Sequence, residues 1–460
     1  MALNIYNSLS RQTEEFKPIN PSEILIYTCG PTVYNYQHIG NFKTFFTSDA
    51  LIRTLEFNDY KVKAIMNFTD LGHLTDNADD GEDKLEMAAE KEGKSAREIA
   101  DFYIKSFLHD FDLLNMKRPV KFTRATDYIK EQIELIQILD SKGYAYELLD
   151  GIYFDTSKFS DYGRLSGLNA ENVLEGARVQ TTEGKRNPTD FALWKFSPQG
   201  KKRWQEYDSP WGIGFPGWHI ECSAMAINEL GDTIDFHLGG EDHKMIHHPN
   251  EIAQSECATG QKFVNYWLHV THLQVDGGKM AKSLGNFYTL SDIVAKGFTP
   301  MDLRFFYMTA HYRSPLNFTW ESLQSARNSL KKLYDLVSGY KESEDSQIDQ
   351  KFLNKFNEAL LSDLNLPKAI ATVWELLKSN VEESDKVVTL LRMDDVLGLK
   401  IEDHVGFQIP QKVVDLAKTR WEYKKQGIWD KADLMRREIL EMGYVVEDHK
   451  DNYKVKRKFD

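Results

Sequence analysis

The chain has 460 residues, 41% of them hydrophobic, enough for two to four domains that bury their own cores without disulfide staples. Its 57 Lys and Arg face 70 Asp and Glu, and the formal net charge of −13 excludes a global attraction to polyanions, so any nucleic-acid contact must come from local patches. Three widely spaced cysteines exclude a disulfide framework, and no signal-peptide pattern or long apolar run is present, so a cytoplasmic protein with no membrane span is expected.

In chain order, Ile24–Tyr27 reads as a strand, Phe42–Leu55 as a helix and Val62–Phe68 as a second strand. Two strands joined by a helix make a βαβ unit and a parallel sheet. Between the first strand and its helix lies Y-T-C-G-P-T-V-Y-N-Y-Q-H-I-G-N, residues 27–41. A polar, Gly-containing turn that opens a helix is a usual phosphate site, although a lone His-x-Gly fits an ordinary turn equally well. Thr69 and Asp70 follow the second strand, where α/β folds place ligands; a merely polar strand exit is the competing reading. The acidic run at 76–83 is too irregular for a calcium loop and reads as solvated. A charged helix is predicted from Lys84 to Leu114.

Residues from about Val120 to Tyr207 read as an insertion that opens with a helix over Thr126–Gly143, ended by its glycine. The sheet then resumes through P-G-W-H-I-E-C-S-A-M at 216–225, I-D-F-H-L-G-G-E-D-H at 234–243, H-H-P-N-E-I-A-Q-S at 247–255 and a strand at 263–270. Beyond Pro300 apolar residues recur at helical spacing. The last fifty residues hold a helix over Trp429–Met442, the stretch Y-V-V-E-D and a basic tail, a small α/β module.

Two constellations carry chemistry. K-M-A-K-S at 279–283, flanked by glycines, suits a mobile loop whose ammonium groups reach phosphate charge; a solvated lysine pair is the default alternative. Cys29, Cys222, and the pair His247 and Glu251 on one helix face form a chemically reasonable zinc set, but they lack the C-x-x-C spacing that marks such sites.

Taken together, T-C-G-P-T-V-Y with H-I-G-N, P-G-W-H-I-E-C-S-A-M, H-H-P-N-E-I-A-Q-S, K-M-A-K-S-L-G-N and D-L-N-L-P-K-A resemble the class I aminoacyl-tRNA synthetases, within them the cysteinyl-tRNA synthetase family. The resemblance runs from about residue 24 to the C-terminus. It implies a Rossmann-type parallel-sheet catalytic domain in two halves, 1–120 and 206–300, split by an inserted connective domain at 121–205. A stem-contact region with a helical bundle at 301–408 and an anticodon-binding α/β module at 409–460 complete the expected chain. The implied reaction joins L-cysteine to ATP with Mg²⁺ and passes the cysteinyl group to the 3′ end of tRNA-Cys, in a protein expected to be a monomer.

By position, the resemblance assigns His38, Asn41, Lys279, Lys282 and Ser283 to catalysis, and His38, Asn41, His237, Gly239, Gly240, Asp242 and Lys282 to ATP. It assigns Thr69 and Trp218 to the amino acid, Trp218 having core packing as its competing role. Cys29, Cys222, His247 and Glu251 are implied to hold one zinc ion, whose softness favours a substrate thiolate over a serine hydroxyl. Trp429, Arg436, Lys454, Lys456, Arg457 and Lys458 are implied tRNA contacts. Cys257 reads as a buried structural cysteine, and His243 and His248 as spare ligand candidates whose first reading is a supporting or surface role.

Four positions depart from the family pattern. Asn41 stands where many members have His, Ala281 where Ser is usual, and Phe215 where Arg is common; Leu366 replaces a Thr whose capping oxygen is worth roughly 1 kcal/mol. Two other readings remain. One is a ligase of the same superfamily that joins cysteine to a small-molecule amine; the other is a zinc-containing RNA-binding protein without catalysis.

Overall fold

The computed structural model describes residues 2–71, 84–167, 184–198, 203–280, 285–341, 343–406 and 409–457. The acidic run at 76–83, Ala281, Lys282, Ser283 and Lys458 therefore lie outside the described residues. The chain forms two compact units, the first comprising 1–290 with 310–318 and 358–367, the second the remainder.

The first unit opens with a hairpin of β1 (Asn4–Asn7) and β2 (Gln12–Glu15), then enters β3 (Ile24–Thr28). The helix α1 (Ile39–Phe57) follows and leads to β4 (Val62–Phe68), which pairs parallel with β3 as the βαβ reading predicts. The long charged helix expected next is two helices, α2 (Lys84–Glu92) and α3 (Ala96–Leu113). Gly93 between them takes φ of 65°, a left-handed turn that ends α2, and Ser95 with Glu98 forms a capping box that starts α3 afresh. After β5 (Lys121–Arg124), the predicted helix at 126–143 is a short 3₁₀ turn at Ala125–Tyr128 running into α4 (Ile129–Ser141).

The inserted segment contributes β6 (Ala145–Leu148), β7 (Gly151–Phe154), β8 (Phe191–Phe196) and β9 (Gly214–Pro216), an antiparallel sheet in that order. The chain then returns through α5 (Trp218–Leu230), β10 (Ile234–Gly240), α6 (His247–Thr259) and β11 (Val264–Val270). Among the described residues the main sheet has the order β11-β10-β3-β4-β5, every neighbouring pair parallel. Parallel strands with helices between them bury both faces, so β3 and β10 are apolar along nearly their whole length. One exception, Asp235, is fully buried and accepts the backbone N–H of Ile19 at 2.8 Å and of Leu25 at 2.9 Å, tying the start of β10 to that of β3.

Because β3 and β10 are adjacent and parallel, the turn after β3 and the turn after β10 open on the same sheet edge. In open α/β sheets this edge is where ligands bind. The hairpin of β12 (Leu273–Val275) and β13 (Gly278–Lys279), with β14 (Leu316–Phe318) alongside, continues from β11.

The second unit is mainly helical. It includes α7 (Pro300–Tyr307), started by a Thr299–Asp302 capping box, α8 (Trp320–Val337) and α9 (Glu383–Leu397). Arg304 is fully buried there and donates from Nε to the Leu397 carbonyl at 2.7 Å, satisfying a helix end. Its C-terminal part pairs α10 (Gln411–Lys425) with α11 (Trp429–Glu441) and a hairpin of β15 (Tyr444–Asp448) and β16 (Tyr453–Arg457). That part has its own small core of Val413, Ala417, Ile439, Tyr444 and Val446. No described helix is long and apolar enough to cross a membrane.

Candidate functional site

A cavity of about 300 Å³ opens at the sheet edge, lined by residues of the β3–α1 turn, the ends of β4, β10 and β11, and the starts of α5 and α6. Cys29, His38, Asn41, Thr69, Trp218, Cys222, Gly240, Asp242 and His247 all face it, so residues spread over more than two hundred positions meet in one place.

The β3–α1 turn is held by its own polar groups. His38 caps α1, its Nδ1 accepting the Asn41 N–H at 3.1 Å. The Asn41 side chain donates from Nδ2 to Gln37 Oε1 at 2.5 Å, and Gln37 in turn donates to the Thr32 carbonyl at 2.9 Å. The positive end of the α1 dipole faces the cavity from this turn. Gln37 carried no signal in the sequence, since one amide among many polar turn residues has no distinguishing spacing.

Three of the metal-ligating candidates, Cys29, Cys222 and His247, form part of the cavity wall, with Glu251 beside them. The donor atoms of Cys29, Cys222, His247 and Glu251 lie within 4.8 Å of one another, and all four residues are buried. Cys29 Sγ is 3.9 Å from Cys222 Sγ and 3.8 Å from Glu251 Oε1, while His247 Nε2 is 3.0 Å from Glu251 Oε1. Such separations suit a tetrahedral ion with metal–sulfur bonds near 2.3 Å and metal–nitrogen or metal–oxygen bonds near 2.0 Å. Two thiols, an imidazole and a carboxylate are also a donor set that a borderline-soft divalent ion prefers. A second set, Cys29, His237, His248 and Glu251, shares two of these donors. His237 and His248 do not line the cavity, whereas Cys29, Cys222 and His247 do, so only the first set can present an ion to a ligand in the cavity.

Charge is already organised in this wall. Hydrogen bonding from Cys29 draws the Cys222 thiol down to about 6, whereas burial pushes Cys29 well up. Burial opposes the charged forms of both His247 and Glu251, but each stabilises the other: the imidazole is raised to about 10 by Glu251 and Cys222, and His237 and His247 hold the carboxylate well below its usual range. A metal ion in this cluster displaces protons that the ligands otherwise retain.

Supporting contacts fix the ligands. His219 Nδ1 and His247 Nδ1 lie 2.9 Å apart, which leaves His247 Nε2 directed at the other ligands. His237 Nε2 sits 2.9 Å from Glu251 Oε2. Trp218 stacks on the His247 ring with centroids 4.3 Å apart and an interplanar angle of 30°. His219 is a functional residue that sequence reasoning passed over; its only signal is its place beside Trp218, and its partner is one helix away.

The remaining expected nucleotide residues divide. Gly240 and Asp242 face the cavity, but His237 is fully buried behind Glu251, and Gly239 lies against the histidine cluster, where an added Cβ would sit 2.6 Å from His248 Cε1. Lys279 ends β13, and Met280 beside it faces the cavity. On the far side of residues 281–284, the Phe287 ring meets His38 edge-on at 5.1 Å and the Tyr288 carbonyl accepts the Ile39 N–H at 2.9 Å. Both flanks of the lysine-bearing segment thus border the cavity. In the second unit, Trp429 is 59% exposed at the start of α11; Arg436 on that helix and Lys454 on β16 are exposed as well, and Lys456 and Arg457 continue that strand.

Residues 15–328 match the family model for the class I (C) tRNA synthetase catalytic domain. The fold agrees with that of solved tRNA synthetases. A methionyl-tRNA synthetase from Mycobacterium tuberculosis bound by methionyl-adenylate superposes with a TM-score of 0.55 at 15% identity, covering 83% of this chain and 90% of that one. A leucyl-tRNA synthetase from Agrobacterium radiobacter K84, in a ternary complex, gives 0.59 at 12% identity over 84% of this chain and 85% of that one. Relatives of much higher identity narrow the class. Cysteine–tRNA ligase 1 of Burkholderia lata is 44% identical over 451 residues, 97% of this chain and 95% of that protein. The cysteine–tRNA ligase of Treponema denticola is 40% identical over 482 residues, 97% of this chain and 98% of that protein. The chain belongs to the cysteinyl-tRNA synthetase family.

Proposed function

We propose that the chain is a cysteine–tRNA ligase: it activates L-cysteine with ATP to cysteinyl-adenylate and transfers the cysteinyl group to the 3′ end of tRNA-Cys. The observation that carries this reading is the cavity bordered by both a helix N-terminus and a buried Cys–Cys–His–Glu cluster. Near-full-length similarity to cysteine–tRNA ligases, C-terminal region included, supports transfer to tRNA over transfer to a small-molecule amine.

The amino acid and the nucleotide share the cavity. Cys29, Cys222, His247 and Glu251 would hold a zinc ion, which when bound supplies a soft Lewis acid that favours a thiolate ligand over a hydroxyl. Trp218, stacked on His247, walls in the small side chain, and Thr69 meets the amino group. A pocket that tests for a ligating group rejects serine at binding, so no editing domain is required.

In the first step the cysteine carboxylate oxygen forms a bond to the ATP α-phosphorus while the bond to the β-phosphate bridging oxygen breaks, giving cysteinyl-adenylate and pyrophosphate. No enzyme nucleophile is needed; the protein positions the reactants and neutralises growing charge. His38 and Asn41 act from the start of α1. Gly240 and Asp242 receive the nucleotide from the opposite strand end, with Gly239 giving the backbone its close approach. His237 orients Glu251 and does not itself meet ATP. Lys279, Lys282 and Ser283 close on the phosphates, which Mg²⁺ accompanies. A terminal ribose hydroxyl of the tRNA then attacks the activated carbonyl and AMP departs. Residues 409–460 form the anticodon module, with Trp429, Arg436, Lys454, Lys456, Arg457 and Lys458 as its RNA contacts.

The test is cysteine-dependent exchange of labelled pyrophosphate into ATP, run against serine on protein whose bound zinc is quantified. Exchange with cysteine, and far less with serine, is the expected outcome. No exchange from metal-replete protein overturns the reading in favour of a non-catalytic RNA-binding protein.

A further inference from the structure

Beside the cavity the first unit exposes aromatic surface that the activation chemistry does not use. Tyr36 lies in the β3–α1 turn, next to the cavity residue Gln37, and is 45% exposed; Phe102, on α3, is also 45% exposed. Tyr103 completes the group. The Tyr36 ring meets Phe102 at 6.0 Å and 74° and Tyr103 at 5.2 Å and 88°, and Phe102 meets Tyr103 at 5.1 Å and 83°. The Lys94 ammonium lies 5.6 Å from the Phe102 ring centroid.

Three edge-on contacts hold the rings without stacking them on one another, which leaves aromatic faces available to a flat partner. The platform is also built on rigid parts. Phe107 of α3 stacks on Phe42 of α1 at 5.7 Å and 9° and meets Phe45 edge-on at 5.2 Å. The turn that carries Tyr36 is pinned by Asn35, whose Oδ1 accepts the Tyr36 N–H at 2.9 Å, and by Gln37, which donates to the Thr32 carbonyl. A preformed aromatic surface pays little ordering cost on binding.

We propose that Tyr36, Phe102 and Tyr103 form a stacking platform for the unpaired bases at the 3′ end of the tRNA, holding them as the terminal nucleotide enters the cavity. This rests on the tRNA-charging function proposed above. Continuity with the cavity selects RNA as the occupant: Tyr36 adjoins Gln37 of the cavity wall, so a strand entering from this side passes beside the platform, while Lys94 at the rim is paired with Glu92 at 3.0 Å. Unpaired bases stack on aromatic side chains whatever their identity, and every base offers a π face.

Phe102→Ala and Tyr36→Ala, each with a conservative partner (Phe102→Tyr, Tyr36→Phe), test the proposal by three readouts. Pyrophosphate exchange without tRNA is expected to stay within about twofold of the unsubstituted protein. The KM for tRNA in charging is expected to rise at least about fivefold in the alanine variants and to be restored in the conservative ones. Binding of tRNA trimmed of its unpaired 3′ nucleotides should be the same for variant and unsubstituted protein. An unchanged KM, an equal loss of affinity for intact and trimmed tRNA, or a matching fall in exchange each overturns the platform. Failure of the unsubstituted protein to charge tRNA at all overturns instead the function on which it rests.

Discussion

Cys222, on α5, joins a thiol to a candidate ligand group whose other members come from the turn after β3 and from α6. With its sulfur 3.9 Å from that of Cys29 and its thiol drawn down to about 6, replacing it by serine removes the softest available donor. Cys222→Ser is expected to lower zinc affinity by at least about tenfold, measured by competition with a chelator, and to shrink the preference for cysteine over serine in pyrophosphate exchange. Full zinc occupancy with unchanged preference would refute the ligand assignment. His219 makes a subtler test, because it contacts His247 without belonging to the candidate ligand set. His219→Ala is expected to weaken zinc binding by about 10- to 100-fold while leaving the ligand set complete. Equal zinc affinity in the variant would show that His247 needs no such partner. The four ligands were legible as residue types in the sequence, Cys29 at a strand end and His247 four residues before Glu251. His219 was not, because the contact depends on how α5 lies against α6 rather than on any spacing. Phe215 is a similar case: its ring lies 3.7 Å from the Arg203 guanidinium, a contact that no spacing in the sequence shows.

At the scale of elements, apolar periodicity located β3, α1 and β4 to within a few residues, since a buried βαβ unit writes its burial directly into sequence. The break between α2 and α3 was harder to read. Glycine inside a charged helical pattern is tolerated often enough to be passed over, yet here Gly93 and the Ser95–Glu98 box both act. That box fixes α3 at a start that turns Asp110 towards the packed side, 8% exposed. Burial raises the Asp110 carboxyl to about 6, with His109 pulling the other way. Its folded value lies above the unfolded one of 3.8, so the protonated form favours the fold. The contribution is full below about pH 3.8 and is lost as pH rises through 6. Asp110→Asn is therefore expected to raise stability at pH 7.5 by about 1–2 kcal/mol and to flatten the pH 4–6 dependence of the denaturation midpoint. An unchanged profile would mean that Asp110 is solvated in the folded chain.

For the whole molecule, a net charge of −13 leaves tRNA recognition to local surfaces, and residues 409–457, which stand on their own core, are the candidate proposed above. Arg420, nearly buried, binds Asp448 through both amino groups at 2.7 and 2.8 Å, locking α10 to the hairpin. A chain ending at 406 is expected to keep pyrophosphate exchange within about twofold and to lose at least tenfold in kcat/KM for tRNA charging. Equal charging by the shortened chain would remove the C-terminal module from tRNA recognition.

The distance in sequence between the two thiols of the cavity has a further consequence, for synthesis. Cys29 and Cys222 are 193 positions apart, and β10, which pairs with β3, follows the inserted sheet. A nascent chain leaving the ribosome can pair β3 with β4 early, but it carries only one of the four ligands until α5 and α6 emerge. A zinc ion held by these residues would thus be acquired only when the second half of the sheet docks onto the first, and contacts of such long range are the slow ones to form. Metal supply would then act on the first unit midway through synthesis, once the chain through Glu251 has been made and before the second unit follows.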